Sequence, residues 1–150
     1  MSQNLTVEQQ YRTLSIVWAA LFFSQILFLV MLYFIKPEIY SFDFTRPLLD
    51  EKFSVVVLAL AFAGVSTFLM SFVLKSKLLK QAVERQNAGL VQSATIVACA
   101  LCEATTLIGF VLAVAFGYQY FFLWFALGML GFVLHFPRRD DLVAASYKQP

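Results

Sequence analysis

Apolar residues in this chain do not alternate with polar ones; they run in long blocks. Four blocks, 14–35, 53–74, 93–116 and about 118–136, are almost free of charge, and the last two are divided only by a Gly117-Tyr-Gln-Tyr120 turn. Crossing the hydrocarbon core of a bilayer as a helix takes about 20 such residues. In lipid every backbone N–H and C=O needs a partner within the segment, which selects helices; barrel strands would show alternating segments of about ten residues. The pattern predicts an all-α integral membrane protein, a four-transmembrane-helix bundle forming one membrane domain over residues 1–150. The fourth block is the shortest, and its start is the least sharply marked.

The segments between the blocks set the expected topology. Residues 36–52 hold Pro37, Pro47 and charges of both signs, and read as an external loop. Residues 75–89 are basic, and the second helix is expected to continue through them until Gly89 ends it. Thr6-Val-Glu-Gln9 has the form of a capping box, which predicts a short helix leading into the first span. Arg12, Lys75, Lys77, Lys80, Arg85, Arg138, Arg139 and Lys148 fall on one side, and Lys36, Arg46 and Lys52 on the other. Cytoplasmic loops carry the excess of Lys and Arg, so both termini and the 75–89 loop are expected in the cytoplasm. The block 14–35 is too long for the apolar core of a cleaved signal and reads as a retained span.

Composition narrows the function classes. The chain is 61% hydrophobic and 13% charged, against about 25% charged in soluble domains. A net charge of +2 gives no general attraction for nucleic acid. Cys99 and Cys102 form a Cys-x-x-Cys pair, but both lie inside an apolar block, where cysteine is a small packing residue. The one histidine, His135, lies far along the chain, so no metal-ligand set is expected. There is no Gly-rich phosphate loop and no nucleophile–base pair at the water interface. A non-enzymatic protein without catalytic residues or cofactor is expected, its partners being the bilayer and either copies of itself or other membrane subunits.

Glu103 is the one formal charge within 93–116. A carboxylate at bilayer depth costs roughly 2.5–3.5 kcal/mol or more, which favours a neutral carboxyl held by hydrogen bonds. Depth counting along antiparallel spans puts Gln25, Ser66 and Thr67 at its level, and Thr106 lies on its side of the same helix. These five residues form the candidate proton-binding group. Small residues recur every fourth position in two rows, Thr105-Gly109-Ala113-Gly117 and Ala94-Ala98-Cys102. Such rows let helices approach closely, within one bundle or between subunits. The cations Lys75, Lys77, Lys80, Arg85, Arg138 and Arg139 are read as topology determinants that also meet lipid head groups or a partner.

The run Glu103-Ala-Thr-Thr-Leu-Ile-Gly109-Phe-Val111-Leu-Ala113, with Arg85-Gln86-Asn87 before it, resembles the second helix of the c subunit of rotary F-type ATP synthases and the polar loop preceding it. Asn87 stands where that family has proline, and spans one and four have no counterpart there. The resemblance implies a proton carried on Glu103 within an ion-translocating complex. Three functions are thus in play. The first is a small membrane subunit or accessory protein of a larger assembly. The second is a c-subunit-like proton-binding component. The third is a small transporter or channel, for which neither an inverted repeat nor a proline within a span is found.

Overall fold

The computed structural model describes residues 6–41, 43, 45, 47–48 and 54–146. Five helices follow in order: α1 (Val7–Ile35), α2 (Ser54–Glu84), α3 (Ala88–Phe116), α4 (Phe122–Leu134) and α5 (Arg139–Ser146), with 3-10 turns at Pro37–Tyr40 and Gln119–Phe121. No strand occurs among the described residues. Arg46, Lys52, Phe53 and Lys148, which entered the expected loop, span and charge assignments, lie outside the described residues. So does part of the expected 36–52 loop.

Helices α1, α2 and α3 are each long and apolar enough to cross a bilayer. Gln119–Leu134 reaches that standard only together with α5, across a 48° bend. At 1.5 Å per residue its 16 residues span about 24 Å, short of the roughly 30 Å hydrocarbon core. The protein is therefore a helical bundle with three helices long and apolar enough to cross a membrane and a shorter, bent fourth.

Local chemistry explains most helix ends. The Thr6 side chain accepts from Gln9 N, and the Gln9 side chain accepts from Thr6 N, closing the capping box. The helix it opens is continuous with the first span rather than a separate leader. Helix α2 carries Lys75, Lys77 and Lys80 as far as Glu84. Gly89 does not end it, which corrects the sequence expectation. Gln86, at φ 49°, makes the left-handed turn, with Asn87 N donating to Ala82 O and Gln86 N to Val83 O. That is a Schellman closure at a position where glycine is usual. Asn87 then caps α3 by accepting from Gly89 N at 2.9 Å, so Gly89 lies in the first turn of α3. Gly117, at φ 63°, terminates α3 in the left-handed region as its sequence position suggests.

Helix α3 is the centre of the bundle and meets α1, α2, α4 and α5, whereas α1 and α2 scarcely touch each other. Its apolar window is 44% buried, against 11% for α1 and 17% for α2. Glycines permit the closest approaches. Gly128 of α4 abuts Thr106, Gly131 abuts Cys102, and the Trp124 side chain fills a notch between Gly64 of α2 and Gly109 of α3. Large apolar side chains elsewhere face outward, among them Phe34 and Phe62, each 78% exposed. So much exposed apolar surface suits lipid rather than water.

Two apolar clusters mark the ends of the bundle. At one end Val7, Tyr11, Leu79, Ala82, Val91, Leu142 and Ala145 pack together. At the other, Leu32, Ile39, Ala113, Phe121 and Phe125 do so. There the Tyr40 hydroxyl donates to Leu29 O at 2.8 Å, and burial raises the phenol above its ordinary pKa of 10.0. Trp18 joins α1 to α4: its indole N–H donates to Phe132 O at 2.9 Å, and its ring stacks on Phe22 and meets Phe136 edge-on. Trp18→Phe removes that bond and is expected to cost about 0.5–1.5 kcal/mol, measured as a lower unfolding midpoint in detergent micelles.

Candidate functional site

Glu103 lies on α3 where α1 crosses it. Its Oε1 is 2.9 Å from Ser24 Oγ. The same hydroxyl is 2.6 Å from Leu21 O, one turn earlier on α1, and Gln25 Nε2 reaches it at 3.5 Å. Gln25 is fully buried, and its Oε1 has no hydrogen-bond partner among the described residues. The Glu103 side chain is partly exposed, at the edge of the α1–α3 contact.

The expected partner set is thus only partly assembled. Ser24, which depth counting passed over, makes the direct contact, and Gln25 acts at one remove. Thr67 belongs to a different pair: its hydroxyl lies 3.0 Å from Thr105 Oγ1 and donates to Gly64 O at 2.9 Å. Thr106 is buried against Gly128 of α4 and donates to Cys102 O. Ser66 is exposed on the outer side of α2. Thr67 and Thr106 stabilise helix packing, and none of the three reaches the carboxyl. A neighbouring position on a helix is rotated by about 100°, so equal depth does not give equal facing.

The small-residue rows also resolve. Ala94, Ala98, Cys102, Thr105, Gly109 and Ala113 are buried inside the chain, and Gly117 is the α3 cap. They are intramolecular packing rows. A different stripe of α3 is left uncovered: Ser93, Ile96, Ala100, Leu107, Val111 and Ala115 are exposed, with Glu103 and Ala104 partly so. These positions recur at helical spacing, on the side opposite α4 and between α1 and α2. Glu103 stands at the border of the stripe. The pairs Ala100/Ala104 and Val111/Ala115 keep a four-residue spacing, a signal visible in the sequence but indistinguishable there from the buried rows.

A second polar group lies nearer the α5 end. Ser71 Oγ donates to Phe68 O at 2.6 Å, lies 2.8 Å from His135 Nε2 and accepts from Cys102 Sγ at 3.8 Å. Cys99 and Cys102 are both free and buried. Among the described residues no three His, Cys, Asp or Glu side chains gather as a metal site would need. Of the basic candidates, Lys75, Lys80 and Arg138 line one cavity, and Arg139 pairs with Glu8 at 3.2 Å on the surface. Lys77 and Arg85 are exposed elsewhere on the helix and its turn. An exposed pair such as Arg139–Glu8 contributes about 0.2–1 kcal/mol; Arg139→Ala is expected to stay within that range in the same unfolding assay.

The fold and this interior define a small helical membrane protein with a polar seam at mid-bundle. No protein-family model, curated protein or solved structure matches the chain.

Proposed function

We propose that this chain is a non-enzymatic membrane subunit or accessory protein that works inside a larger assembly, packed against a transmembrane helix of another subunit. The observation that carries the reading is the uncovered stripe of α3. The most central helix of the bundle leaves one face open, that face is rich in small residues, and a carboxyl stands at its border. Small residues at four-residue spacing allow close helix approach in lipid, where association depends on packing and hydrogen bonds. The reading includes four crossings with both termini cytoplasmic. It is supported by the gathering of Arg12, Lys75, Lys77, Lys80, Arg85, Arg138 and Arg139 toward the end where Val7 and Leu142 meet. A photo-crosslinking residue at Ala104 or Leu107, activated in native membranes, is expected to capture a protein partner. The same residue at lipid-facing Phe62 is expected to capture lipid alone. Lipid adducts alone at all three positions would overturn the proposal.

A second reading rests on the hydrogen bond between Ser24 and Glu103. Ser24 Oγ donates to Glu103 Oε1 at 2.9 Å as well as lying 2.6 Å from Leu21 O, so one hydroxyl links the carboxyl to the α1 backbone. A partly reachable Glu103 held by a hydroxyl at bundle mid-depth fits a proton-binding component of the c-subunit-like kind. Carbodiimide modification of membranes is the test. Labelling at Glu103, absent in Glu103→Gln and fading as pH rises, supports a proton site; resistance at every pH excludes it.

A further inference from the structure

A cavity lies between the end of α2 and the α4–α5 bend, away from the open stripe of α3. Its volume is about 350 Å³, and its polar wall carries Lys75, Lys80, Arg138, Ser76, His135 and Asp141. That is three cations against one carboxylate. Among the described residues none of the three cations is ion-paired. The Lys75 ammonium donates to His135 O at 3.3 Å, which leaves it further N–H groups. Behind the wall, His135 is fixed by its bond to Ser71 and by the Phe72 ring, with centroids 4.5 Å apart. The cavity is thus pre-formed and positive.

The opposite wall of the cavity is apolar. Phe72 and Leu134 line the same space and are themselves 36% and 51% exposed on the outer face of the bundle. The positive pocket therefore opens directly onto lipid-facing surface, at the level where α2 turns basic and α4 ends. A soluble anion needs only the polar wall. A lipid uses both, with its phosphate among the cations and an acyl chain along Phe72 and Leu134. Basic pockets between transmembrane helices are the usual seats of anionic head groups.

We propose that this pocket binds the phosphate of an anionic membrane lipid through Lys75, Lys80 and Arg138. Lys80 and Arg138 are exposed, so their substitution tests the site without touching the buried Ser71–His135 pair. The full chain is purified in detergent and titrated with phosphatidic acid or phosphatidylcholine, and bound lipid is read by native mass spectrometry. Each cation near an anionic head group contributes about fivefold in affinity, so Lys80→Gln/Arg138→Gln is expected to bind phosphatidic acid about twenty-five-fold more weakly. Lys77→Gln/Arg85→Gln removes the same charge outside the pocket and is expected to bind as wild type. Equal loss in both pairs, or equal binding of phosphatidylcholine, overturns the proposal. Glycerol 3-phosphate is the soluble arm: displacement of the lipid at matched concentrations would assign the pocket to a free phosphate compound and overturn its lipid source.

Discussion

Leucine in place of Gly128 is expected to abolish the folded bundle. A Cβ at this position meets Thr106 Oγ1 in hard contact and lies 2.9 Å from Cys102 O. The carbonyl belongs to the backbone of α3 and cannot retreat. Even Gly128→Ala is expected to cost about 1–3 kcal/mol, the usual range for overpacking, and the leucine branches add further clashes. Leu130, two residues on, is 51% exposed, and Leu130→Ala is expected to stay within about 0.5 kcal/mol. Thermal unfolding in micelles, followed by circular dichroism, separates the three. Wild-type behaviour of Gly128→Leu would show that α4 does not dock on α3 through this glycine.

The second large effect is expected at Glu103. Lysine at the centre of a membrane helix costs about 2.5–3.5 kcal/mol on insertion scales, and Glu103→Lys is expected to lose stability on that order. Glu103→Gln has the same shape and keeps a partner for Ser24, so it is expected to remain within about 0.5 kcal/mol of wild type. Resistance to unfolding in sodium dodecyl sulfate measures both. A glutamine variant as unstable as the lysine variant would mean that the carboxyl acts as a charge, not as a neutral hydrogen-bonding group.

How much of this was legible in the residues depends on which physical demand each feature answers. Lipid demands unbroken apolar runs, so the long helices α1, α2 and α3 could be read without knowing any contact. The capping box at Thr6 was legible because it acts within one turn, whereas Gly117, read as part of a turn and of a packing row, caps α3. Gly89 misled because a glycine near a basic run suggests a helix end, while the turn is made by Gln86 with Asn87 behind it. The partner of Glu103 was missed by one residue. Counting gives depth along the helix, but facing depends on the rotation of α1, which Trp18 and Phe28 set through distant contacts with Phe132 and Phe110. The small-residue rows were legible as rows, but not as inside or outside. A face turned to lipid and a face turned to another helix are equally apolar, and only the positions of α2 and α4 tell them apart.

The three-residue connection at Arg85–Asn87 has a consequence for biogenesis. It holds α2 and α3 together as an antiparallel hairpin, so the two are expected to pack against each other early in integration. A flexible insert at this connection should leave the finished protein intact yet slow its integration during synthesis.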